Sequence, residues 1–134
     1  MMDAPSPAVW EFDDFRPGLE LGRLAIPMND ARLAHWVAIY GEPVVDGRVP
    51  SGMLVAAMME AYLTAVKPRP PGNIHASQKL SFGKPVYPGD RLDAEVTCLW
   101  KEMRKERRWV AFGVTLRNGN RDVLSGQIRT IWAK

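Results

Sequence analysis

The sequence predicts an α+β domain in which an antiparallel sheet wraps around one buried central α-helix. Three observations carry this. Met53 to Val66 is apolar on nearly every side, broken only by Glu60 and the milder Tyr62 and Thr64, and a helix that is apolar all round is a buried one. From Ile74 onward apolar and polar residues alternate with a period of two, the pattern of half-buried strands. Pro- and Gly-containing turn signals separate those stretches. A helix of this kind needs a sheet to cover it, and the 134 residues suffice for a single domain with one core.

Residues 1–9, with Pro5 and Pro7, read as a loose N-terminal arm. Arg16-Pro17-Gly18 is a turn, and Leu19 to Ile26 a strand ended by Pro27. Asn29 and Asp30 are good N-cap residues. Leu33, Trp36, Val37 and Tyr40 follow at i, i+3, i+4 and i+7, so Ala31 to Tyr40 is an amphipathic helix closed by Gly41. After a loop over 42–50, Ser51 caps the second helix, Gly52 to about Val66. Lys67-Pro68-Arg69-Pro70-Pro71-Gly72 stops it. Ile74, Ala76, Gln78, Leu80 and Phe82 share one strand face; His75, Ser77, Lys79 and Ser81 share the other. Pro85 to Asp90 is a corner. Leu92, Ala94, Val96, Cys98 and Trp100 then alternate with Asp93, Glu95, Thr97, Leu99 and Lys101. Lys101 to Arg108 is a charged hairpin tip, Trp109 to Arg117 a strand, Asn118-Gly119-Asn120 a hairpin turn, and Val123 to Trp132 the last strand. The four strands from Ile74 onward are expected to form a meander.

Composition excludes several classes. The chain is 46% hydrophobic and 25% charged, with no apolar run long enough to span a membrane. Met1 to Trp10 lacks the basic and apolar regions of a secretory signal, so a cytoplasmic location is expected. Cys98 stands alone, which excludes an intrachain disulfide, and His35 and His75 are too few for a structural zinc site. No cofactor is expected. The net charge of +3 suits an anionic small ligand. The basic run Lys101, Arg104, Lys105, Arg107 and Arg108 is interrupted by Glu102 and Glu106, a solvated pattern rather than a nucleic-acid footprint.

The order of elements resembles the hot-dog fold, and several motifs resemble its MaoC-like branch of R-specific enoyl-thioester hydratases and dehydratases. Phe12-Asp13-Asp14-Phe15-Arg16-Pro17-Gly18-Leu19 is similar to that family's opening segment. Trp36 to Glu42 resembles its first helix, which ends in glycine-aspartate. Val49-Pro50-Ser51-Gly52-Met53-Leu54 resembles the isoleucine-alanine-histidine-glycine-methionine-leucine stretch before the central helix. Phe82-Gly83-Lys84-Pro85-Val86-Tyr87-Pro88-Gly89-Asp90 is similar to the phenylalanine-x-x-proline-valine-x-x-glycine-aspartate corner. The resemblance implies an acyl thioester, linked to coenzyme A or a carrier protein, as ligand. It implies a homodimer, or a hetero-oligomer with another hot-dog subunit. The thioester carbonyl is expected at Pro50, Ser51, Gly52 and Met53, where helix-start amides polarise it. The family's Asp-x-Asn-Pro-x-His dyad is not intact here. Glu42 stands near the aspartate position, Asp46 is the next acid, and no histidine lies between His35 and His75.

Glu42, with Asp46, is therefore the candidate for handling water or a proton; the alternative is two solvated loop acids. Glu60 lies nine residues after Ser51, the spacing of a catalytic carboxylate in one hot-dog thioesterase branch. Its alternative is a structural ion pair, because a buried carboxylate needs a partner. His75 is expected on a solvent-facing strand face, or else in a neighbouring subunit's pocket. His35 falls off the apolar stripe of its helix and is expected at the surface.

Overall fold

A computed structural model describes residues 8–41 and 46–134. A short 3₁₀ turn, Phe12–Asp14, precedes strand β1 (Glu20–Pro27). Helices α1 (Asp30–Tyr40) and α2 (Ser51–Ala65) follow, and then β2 (Ile74–Phe82), β3 (Arg91–Arg104), β4 (Arg107–Asn118) and β5 (Arg121–Trp132). The strands form one antiparallel sheet in the order β1-β3-β4-β5-β2. This is the hot-dog architecture, with α2 packed against β1, β3 and β4.

The expected four-strand meander holds only for β3, β4 and β5. β2 crosses over to pair with β5 at the far edge, and β1 takes the other edge beside β3. Local signals mark strands and tight turns, whereas the neighbour of an edge strand is fixed by tertiary packing. The charged stretch 101–108 is likewise mostly strand. Only Lys105 and Glu106, at φ 51° and 65°, make the turn, the primed geometry that suits the twist of a two-residue hairpin.

α1 begins as its sequence requires. The Asn29 side chain accepts from the Arg32 amide at 2.9 Å, and Gly41 ends the helix in the left-handed region at φ 67°. α2 departs from expectation in two ways. Its N-cap is Pro50 and Ser51 is already helical, with no side-chain cap. It is also not buried all round. Met53, Leu54, Ala57, Met58, Ala61 and Tyr62 are inside, while Ala56, Glu60, Leu63 and Thr64 are exposed. One layer of sheet covers one side of a helix, and α1, which buries none of its own residues fully, covers only part of the rest.

Leu92, Ala94, Val96 and Cys98 of β3 face Phe112, Val114 and Leu116 of β4 in a closed core. A register shift between Cys98 and Trp100 sets Trp100 opposite Ala111, off the core face expected for it. A second shift, between His75 and Ser77, sets Ser77 opposite Arg129, next to the Thr130 that His75 faces. Alternation cannot foresee a bulge, because one extra residue flips every later side chain.

The lower end of the core is sealed by the N-terminal segment. Trp10 and Phe15 are buried and stack at 5.1 Å, and Phe15 meets Phe112 and Trp132 edge-on at 5.3 and 5.0 Å. The Trp132 indole donates to the Trp10 carbonyl at 2.7 Å. Ala8 and Val9 are exposed; the remainder of the expected arm lies outside the described residues.

Candidate functional site

The site is built around the start of α2, and the corner 83–90 positions it. The Val49 amide donates to the Val86 carbonyl at 2.7 Å, which ties the lead-in of α2 to the corner. The Met28 amide donates to the Asp90 carbonyl and the Gly89 amide to the Met28 carbonyl, both at 2.8 Å, which ties the corner to the end of β1. Within the corner the Asp90 carboxylate accepts from the Tyr87 amide at 2.9 Å. Gly83 donates to the Val123 carbonyl and sits so close to the Asp122 carbonyl that any β-carbon there would overlap it. Gly83, Gly89 and Asp90 thus each serve the backbone geometry of this corner.

At the helix start, among the described residues, Pro50 offers the first amides no side-chain cap, and the Met53 amide donates to the Pro50 carbonyl at 3.0 Å. Ser51 and Gly52 are exposed, Pro50 is half-buried, and Met53 is buried beneath them. Uncapped amides at the positive end of a helix dipole favour a carbonyl or anion. Trp36 of α1 stands over this turn. A β-carbon on Gly52 would lie 2.6 Å from Cη2 of its ring, and Tyr40 packs on Trp36 at 4.2 Å between centroids. No sequence pattern links positions 36 and 52, so this contact was illegible beforehand.

Glu60 does not stand free. Arg32 of α1 grips it with two guanidinium nitrogens, at 2.7 and 3.4 Å, and holds the Pro27 carbonyl with Nε at 3.0 Å. The Glu60 side chain is 44% exposed and that of Arg32 29%. Glu60 is therefore a surface carboxylate clasping α1 to α2, not the buried group anticipated from the apolar helix. Arg32 was missed as its partner because the pairing spans 28 residues between two helices. Asp46 is exposed, at φ 53° in the turn before Gly47. Glu42 lies outside the described residues. His35 and His75 are both exposed.

Among the described residues two titratable groups are strongly shifted, and both belong to the core. Burial pushes the Cys98 thiol up to about 11, against a smaller opposing pull from Lys101. Burial likewise raises the Tyr62 hydroxyl to about 12, opposed by Arg69, whose guanidinium also caps the Leu63 and Val66 carbonyls at the end of α2. Neither is a ready nucleophile at neutral pH. Among the described residues, no cluster of three or more His, Cys, Asp or Glu could hold a metal ion, and no helix is long and apolar enough to cross a membrane.

The MaoC-like domain, as a family, matches residues 34–120, which takes in most of α1, all of α2, the corner and strands β2, β3 and β4. The chain belongs to the MaoC-like family. As a MaoC-like protein it is similar in structure to an unliganded R-hydratase from Pseudomonas aeruginosa, at TM-score 0.74 and 20% identity, over 90% of this chain and 84% of the other. A MaoC-like dehydratase from Rhodospirillum rubrum gives TM-score 0.74 and 20% identity, over 90% and 94%. A fluoroacetyl-CoA thioesterase is similar at TM-score 0.65 and 16% identity, over 87% and 88%. Among curated proteins none matches in sequence. At these identities the structures speak for the shared fold.

Proposed function

We propose that this MaoC-like protein binds acyl thioesters, of coenzyme A or a carrier protein, and adds or removes water between the 2-enoyl and 3-hydroxyacyl forms. The observation that carries the reading is the first turn of α2. Among the described residues it has no side-chain cap, it is braced by the corner 83–90, and it lies within the matched domain. In this reading the Ser51 and Gly52 amides polarise the thioester carbonyl, Pro50 sets the direction of the turn, and Met53 forms its floor. Polarisation acidifies the carbon next to the carbonyl and prepares the conjugated double bond for water. Glu42, assisted by Asp46, takes the part of the missing dyad as the group that positions water and moves its proton.

The protein is proposed to work as a homodimer, in the cytoplasm. β2 supports the assembly: eight of its nine residues are exposed, including Ile74 and Phe82, and one long edge is unpaired. Such an edge is a template for a further strand, and a second copy offers one about a twofold axis. A hetero-oligomer with another hot-dog subunit uses the same edge, and sedimentation of the purified protein alone separates the two.

The test of function follows enoyl absorbance and free thiol together on crotonyl-coenzyme A. Loss of enoyl absorbance without thiol supports hydration, and Glu42→Ala then abolishes it. Thiol release moves the assignment to a thioesterase and the attention to Glu60. Silence on both, with binding retained, leaves an acyl-binding subunit.

A further inference from the structure

We infer that Trp36 limits the acyl group to short chains, an inference that rests on the thioester reading above. A carbonyl held by the Ser51 and Gly52 amides has its acyl chain directed by what surrounds that turn. Beneath α2 there is no depth to enter. Met53 is 3% exposed and Ala57, Met58 and Ala61 are fully buried. The Met58 sulfur lies so close to Gly126 of β5 that a β-carbon there would overlap it, so helix and sheet are in direct contact along this line. Interiors packed to that density do not admit a chain without moving side chains.

On the α1 side the wall is Trp36. Its ring edge lies against Gly52, at 2.6 and 3.2 Å from Cη2 and Cζ2 to the β-carbon that glycine lacks. Tyr40 backs it at 4.2 Å, and the Arg32–Glu60 clasp, one helical turn earlier, holds α1 against α2. The indole cannot swing away without parting from these contacts. Among the described residues Ser51 and Ala56 face solvent, and the bulky carrier is placed on that side. In this inference a crotonyl or butyryl group lies between carrier and indole, whereas a decenoyl group meets the ring.

The experiment compares crotonyl- with dec-2-enoyl-coenzyme A in the wild type, Trp36→Phe and Trp36→Ala, with a thermal melt of each to confirm folding. The wild type is expected to favour the short substrate. The ratio of kcat/KM for long over short is expected to rise on the order of tenfold in Trp36→Ala, the scale on which an apolar pocket discriminates a methylene or two, and by less in Trp36→Phe. A wild type that takes both chains equally, or a ratio unchanged in both folded variants, overturns the inference. If the wild type turns over neither thioester, the hydratase reading has failed. Calorimetric binding of butyryl- and decanoyl-coenzyme A then decides the present point. A butyryl preference lost in Trp36→Ala supports it; equal binding, or no binding of either, overturns it.

Discussion

The clasp between Arg32 and Glu60 allows a decisive perturbation, a double-mutant cycle of Arg32→Ala, Glu60→Ala and the pair. At about 4 Å and an effective dielectric near 20, two unit charges attract by roughly 4 kcal/mol before desolvation and side-chain ordering are counted. With 29% and 44% of the side chains exposed, the net coupling falls in the range of about 0.2–1 kcal/mol measured for exposed pairs. The two-nitrogen grip places it near the upper end. For a chain of this length, about 1 kcal/mol moves Tm by roughly 4 °C. Arg32→Ala is expected to cost more than Glu60→Ala, because it also frees the Pro27 carbonyl. In ~1 M salt, where the Debye length falls to about 3 Å, the coupling should shrink. Thermal melts of the four proteins at low and high salt give the coupling, and turnover of each gives its catalytic consequence. Glu60→Ala is expected to keep most activity. A coupling of zero together with activity abolished by Glu60→Ala would refute the argument and make Glu60 a reacting group, as a thioesterase requires.

Three further expectations follow from the core and the corner. Gly83→Ala forces a methyl into the Asp122 carbonyl; overpacking of this kind costs about 1–3 kcal/mol, readable as a lower urea midpoint with unchanged slope. Trp132→Phe removes the donor to the buried Trp10 carbonyl, and an unpaired buried acceptor costs about 1–3 kcal/mol, again seen in urea melts. Cys98 ionises near 9.0 when unfolded and about 11 when folded. Its contribution is thus fully present below pH 9 and is lost as pH rises through 11, by at most about 3 kcal/mol. Cys98→Ala should flatten the stability curve over that window, and an equally steep fall in the variant would assign the loss to other groups such as Tyr62.

Much of the fold was legible because its signals are local. The Asn29 cap, the glycine at 41, the apolar run of α2 and the alternation through Leu92 to Cys98 each depend on residues within a few positions. What escaped was set by distant contacts. The crossover of β2 beside β5, the bulge that turns Trp100, the bulge after His75, and the proline cap of α2 arise from how elements meet. The site divides in the same way. The helix start at Pro50 to Met53 was readable from a motif. The exposure of Glu60, its hold by Arg32, and the closeness of Trp36 to Gly52 join positions too far apart for any periodicity to reveal. Glu42 and Asp46 remain readings of the sequence, and an exposed turn at Asp46 suits its alternative as a solvated loop acid equally well.

The corner 83–90 has a mechanical consequence. Its backbone bonds reach Met28, Val49 and Val123, so the direction in which α2 points its amides is set by a three-way joint of main chain. In the proposed reading the groups that handle water, Glu42 and Asp46, belong to the separate stretch between α1 and α2. A scaffold arranged like this can exchange its acid and base without re-aiming its carbonyl cradle. On that reading, replacement of an aspartate–histidine pair by Glu42 and Asp46 would change the reagents while the anvil beneath them stays fixed.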